Sequence, residues 1–91
     1  MKNSITQKDI DNILKDTLIK AEQYGDKTTV LKATLPNGFV IIESSSCIDP
    51  VNFDMKFGEQ ICMGKLYDKI CELEGYKLQS KIMEEKKNEN N

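Results

Sequence analysis

Ninety-one residues with 38% hydrophobic and 31% charged side chains have the balance of one soluble globular domain, not of a disordered or membrane chain. A formal net charge of −2, with lysines interspersed among the acids, argues against a general nucleic-acid-binding surface, which needs a basic stripe. The longest apolar run, Phe39-Val40-Ile41-Ile42, is far too short to span a bilayer, and Met1-Lys2-Asn3-Ser4 leads into a polar helix rather than a signal-peptide core.

These features lead us to expect a protein that stays in the cytosol, with no membrane partner. Cys47, Cys62 and Cys71 make an odd total with no C-x-x-C pair, so reduced thiols are expected. The chain has no histidine, which removes the commonest general base and makes a structural zinc site improbable. Neither a metal nor a cofactor is expected.

The first helix is expected over Ile5 to Gln23. Thr6 can cap it, Asp9 completes a capping box, and Ile5 can staple onto Ile10. Apolar positions recur at Ile10, Ile13, Leu14, Thr17, Leu18 and Ala21, and Gly25 supplies a stop. Lys27 to Leu35 and Phe39 to Ser45 have the β-branched character of two antiparallel strands joined at Pro36-Asn37-Gly38. A three-residue loop sets Leu35 opposite Phe39 and Ala33 opposite Ile41, whereas a two-residue turn pairs Lys32 with Glu43. Both registers stay open at this level, and a slip of one swaps the faces. Two strands make a poor sheet alone, so a further strand is expected on an open edge, from Tyr76-Lys77-Leu78 or from a second subunit.

After a serine-rich connection, Asn52 or Asp54 can cap a long second helix from Met55 to Glu74, ended by Gly75. At about 100° per residue, Cys62, Met63, Leu66, Tyr67, Ile70, Cys71 and Leu73 share one wide apolar arc. Such an arc suggests cover from two sides, by the chain's own sheet and by the first helix or a neighbouring subunit. Gly64 inside this helix suggests a close backbone approach. The fold class is therefore α+β: N-terminal helix, antiparallel hairpin, serine-rich loop, long second helix, and a candidate short C-terminal strand. The domain is expected over residues 1–80, with 81–91 a charged tail, frayed or disordered.

Ser44-Ser45-Ser46-Cys47 ahead of a helix is the best candidate for gripping a polar or anionic ligand. The plainer reading is a strand end satisfied by its own loop hydroxyls, and Asp49 and Asp54 place negative charge beside it. Cys47 without histidine has no usual activator and reads best as a packing residue. Glu43, Asp49, Asp54 and Glu59 read as turn, cap and surface carboxylates. Phe39, Phe53, Tyr67 and Tyr76 can stack a base, although a small core needs its aromatics.

The run Leu35-Pro36-Asn37-Gly38-Phe39, the connection Glu43-Ser44-Ser45-Ser46-Cys47-Ile48-Asp49-Pro50, Asn52-Phe53-Asp54, Gly58 and Leu73-Glu74-Gly75-Tyr76 together resemble a small phage-encoded family. That family is named after the gp-forty-nine and gp-sixty-six products of two enterobacterial phages, and the resemblance covers about residues 28–78. Members often carry tryptophan where this chain has Cys71, a core exchange. The resemblance implies a phage or prophage accessory protein in a bacterial cytosol and carries no catalytic residues with it.

Small accessory proteins of this kind commonly act by binding. The expected function is non-enzymatic, homo-oligomeric counter-defence: sequestration of a small host nucleotide signal between subunits. The expected ligand residues are Ser44, Ser45, Ser46, Cys47, Phe53, Lys56, Lys65 and Tyr76. The rivals are a protein–protein inhibitor of a host enzyme and, third, a small hydrolase using Cys47 or paired carboxylates.

Overall fold

A computed structural model describes residues 2–89. Helix α1 spans Gln7–Lys15, strands β1, β2 and β3 span Leu18–Tyr24, Thr28–Thr34 and Val40–Ser46, a 3-10 turn covers Pro50–Asn52, and helix α2 spans Met55–Glu89. The strands form one antiparallel sheet in the order β1-β2-β3. The class is α+β, as the composition and patterning imply.

The start of α1 is built as the sequence suggests. The Asp9 amide donates to the Thr6 hydroxyl at 3.2 Å, and the Thr6 amide donates to the Asp9 carboxylate at 2.8 Å. Lys2 also donates to that carboxylate. The hydrogen bond from Lys2, followed by that from the Thr6 amide, holds the Asp9 carboxyl down at about 2. Ile10 is fully buried and Ile5 packs against the core.

The expectation of a helix reaching Gln23 is corrected at Asp16. There the helix closes with the Asp16 amide on the Ile13 and Leu14 carbonyls, and the Thr17 hydroxyl donates to the Ile13 carbonyl at 2.7 Å. Residues 18–24 then pair along their whole length with β2, from Leu18 with Thr34 to Tyr24 with Thr28. The spacing of Thr17, Leu18 and Ala21 imitates a helical face. A seven-residue ladder supplies more, and β-branched Thr17 and Ile19 lower the helical alternative. Gly25 is a turn residue at φ +67°, between β1 and β2, rather than a helix stop.

The β2–β3 register is the three-residue one. Ala33 faces Ile41, Thr34 faces Val40, the Leu35 amide donates to the Phe39 carbonyl at 2.8 Å, and Gly38 sits at φ +91°. This register turns Thr29, Leu31 and Ala33 of β2 and Ile41 of β3 onto α2, where all four are buried. Cys62, Leu66 and Ile70 of α2 complete the core, with Met63, Tyr67, Cys71 and Leu73 packed at its margins. The sheet covers α2 on one side and α1 touches it on another, which accounts for the width of the apolar arc. Burial pushes the Cys62 thiol above its ordinary range.

Helix α2 passes through Gly75 without ending. Tyr76-Lys77-Leu78 is helical, so the third strand comes from residues 18–24 and not from the C-terminal side. Lys81 to Glu89 continues the same helix, and Asn90 and Asn91, expected to be disordered, lie outside the described residues. With α2 projecting past the sheet, the molecule extends 63 Å along its long axis. None of the described helices is long and apolar enough to cross a membrane.

Gly64 meets nothing within 4 Å, so the expected close approach is not there. It lies at Gly58, where an added Cβ would stand 2.1 Å from Thr29 Oγ1 and 2.8 Å from Thr29 Cβ. The first turn of α2 is thus seated directly on β2.

Candidate functional site

Where the end of β3, the start of β2 and the first turn of α2 meet, a cleft of about 100 Å³ opens. Its lining includes Ser45, Cys47, Phe53 and, among residues not expected from sequence, Lys27, Asn52 and Phe57. The register that seats Ala33 against Ile41 also brings Lys27 beside Cys47, whose amide donates to the Lys27 carbonyl at 2.9 Å. Phe53 and Phe57 are four residues apart across the helix start. Phe53 is half-buried, while Phe57 is exposed.

The polar groups around the cleft have distinct duties. Asp49 caps the 3-10 turn, its carboxylate accepting from the Val51 amide at 3.0 Å. Asp54 caps α2, accepting from the Phe57 amide at 3.2 Å with its carboxylate and from the Gly58 amide at 2.9 Å with its carbonyl. The helix start is therefore already supplied with a negative charge. The Cys47 thiol donates to the Asp49 carbonyl at 3.2 Å. No group of three or more metal-ligating side chains is assembled among the described residues.

The serine cluster is divided by strand alternation. Ser45 faces α2 and is half-buried, so its hydroxyl belongs to the cleft. Ser46 borders the cleft, yet its hydroxyl shares a hydrogen with the Thr28 hydroxyl at 2.8 Å. Ser44 stands on the other face of the sheet, and its carbonyl accepts from the Lys65 ammonium at 2.6 Å. That places Lys65 on the β3 edge rather than in the cleft. Lys56 is exposed on the first turn of α2 but is not part of the lining. Tyr76 is 78% exposed and about 28 Å farther along the helix than Phe57, so one chain does not bring it to the others. Of the eight residues expected to bind a ligand, Ser45, Ser46, Cys47 and Phe53 converge.

The model for the phage protein (N4 Gp49/phage Sf6 gene 66) family matches residues 5–82. The chain belongs to that family. The match takes in α1, the sheet, the cleft and most of α2, reaching well beyond residues 28–78 that carry the motif resemblance. No curated protein and no solved structure matches the chain.

Three signals point to the residues that sequence reasoning missed. Extending the three-residue hairpin register leads from Ala33–Ile41 to Lys27–Cys47. The Asp54 cap leads to Phe57, whose amide donates to the Asp54 carboxylate. Asn52 ends the turn that Asp49-Pro50 opens.

Proposed function

We propose that this phage-family protein binds a small nucleotide-like ligand without transforming it, and that it serves counter-defence by withdrawing a host signal. The observation that carries the reading is the pairing of Phe53 and exposed Phe57 at the mouth of a cleft that also holds Ser45, Asn52 and Lys27. Aromatic faces take up a base, side-chain amide and hydroxyl groups can meet its edge, and Lys27 offers a cation to phosphate. Asp54 beside the helix start disfavours phosphate there, so the base end belongs at the aromatics and the charged end toward Lys27.

A cleft of about 100 Å³ is smaller than the roughly 300–1,000 Å³ that encloses a drug-sized ligand. One chain therefore grips part of a nucleotide, and a second surface has to close over the remainder. Ile48 and Val51, 96% and 83% exposed on the loop beside the cleft, give that second surface an apolar rim to meet. This favours a site shared between subunits. The absence of histidine and the thiol's engagement with the Asp49 carbonyl give hydrolysis through Cys47 no support.

Calorimetric titration with a panel of cyclic and linear nucleotides tests the reading. Phe57→Ala should weaken the best ligand about tenfold or more, the scale of one lost base stack, without unfolding the chain. Ser45→Ala should weaken it too. Unchanged affinity in both variants would show that the cleft is not the ligand site.

A further inference from the structure

Two edges of the sheet are open, and they are not alike. At β3, the Lys65 ammonium sits on the outward carbonyl of Ser44 at 2.6 Å, placing a charge on the edge. At β1, Ile19, Ala21 and Gln23 direct their backbone groups outward. The parity follows from the ladder: the Leu35–Phe39 and Cys47–Lys27 bonds assign odd-numbered residues of β2 to β3, so even-numbered ones bond β1 through its own even residues. Among the described residues no side chain bonds to the outward groups of β1, and α2 lies over β2 and β3 instead. Leu18 and Tyr24, at its two ends, are 75% and 57% exposed.

We propose that β1 pairs with β1 of a second copy of this chain, antiparallel about a two-fold axis at Ala21, joining two sheets into one of six strands. The sequence Leu18-Ile19-Lys20-Ala21-Glu22-Gln23-Tyr24 is self-complementary about its centre. The pairing sets Ala21 against Ala21 and Ile19 against Gln23, all with outward backbone groups, and yields on the order of six new hydrogen bonds. It sets Lys20 against Glu22 twice, in the non-hydrogen-bonded positions where side chains approach most closely. It covers Leu18 with Tyr24 at both ends. Within one chain Lys20 stands opposite Lys32 and has Glu22 only as a strand neighbour at 3.3 Å, so the partner's Glu22 answers a like-charge pair.

A seven-residue edge is smaller than the roughly 800 Å² per partner of standard stable interfaces, so association should depend on concentration. This interface is independent of the ligand reading. Sedimentation equilibrium over a wide concentration range tests it without ligand.

Lys20 and Glu22 have side chains 76% and 50% exposed, so reversing either leaves the monomer folded. The wild type should dimerise, K20E and E22K should each weaken the dimer about tenfold, and K20E/E22K should restore it. A wild type that stays monomeric, an oligomer indifferent to the single reversals, or a double variant that fails to recover would each overturn the proposal.

Discussion

Two glycines on one helix show how residue-scale meaning depends on what stands opposite. Gly58 faces Thr29 at a distance no Cβ tolerates, and Thr29 Cβ, fixed to the strand, cannot swing away. Gly58→Ala should cost about 1–3 kcal/mol in denaturant unfolding, the range for forced overpacking. Gly64 has open space and a helical backbone, so Gly64→Ala should raise stability by up to about 1 kcal/mol. A result with those signs exchanged would contradict the seating of α2 on β2. Sequence marks both residues as glycine, and only the packing separates them. Asp9 gives a pH signature at the same scale. Its folded pKa of about 2 lies below the ordinary aspartate value of 3.8, so its contribution is present above the upper value and is lost as pH falls through the lower one. Thermal melts from pH 5 to pH 2 should show a steeper acid loss for the wild type than for Asp9→Asn.

At the scale of elements, periodicity is informative where local sequence decides and misleading where a distant partner does. The hairpin was legible from Pro36-Asn37-Gly38, and its register was settled by the face that α2 must cover. The capping box at Thr6 and Asp9 was legible because it is local chemistry. Residues 17–24 carry a helical spacing of apolar side chains and no strand alternation, and the outcome is decided by β2, a partner distant from local propensity. The stop expected at Gly75 was overridden because its backbone stays helical: the positive-φ glycines are Gly25 and Gly38. The long α2 that results is supported unevenly, with Cys62, Leu66 and Ile70 buried under the sheet and no residue beyond Ile70 fully buried. Amide exchange should divide it accordingly. Residues 62–70 should exchange only with global unfolding and residues 80–89 far faster. Uniform protection along α2 would show that another surface covers its far half. In the same experiment the Cys62 thiol should resist alkylation until the chain unfolds, while Cys47 reacts in the folded state.

The whole molecule is a three-stranded sheet with α2 on one face, α1 beside α2, and the other face open. Half of the expected ligand residues meet in one cleft because Ser45 to Phe53 is a single short path from the end of β3 to the start of α2. Lys65 and Tyr76 suit a ligand by residue type alone: Lys65 is held on the β3 edge by the Ser44 carbonyl, and the length of α2 separates Tyr76 from that path. Lys27 and Phe57 were hidden for the opposite reason, since their place at the cleft follows from pairing and helix geometry rather than from any motif.

On the proposed function, this cleft, with Phe57 at its mouth, is where a ligand is captured. Native mass spectrometry after incubation with a nucleotide extract of phage-infected bacteria tests it most directly. The wild type should emerge carrying added mass of nucleotide size, and Phe57→Ala should emerge empty. A wild type that stays empty, or a Phe57→Ala variant loaded equally, would contradict it.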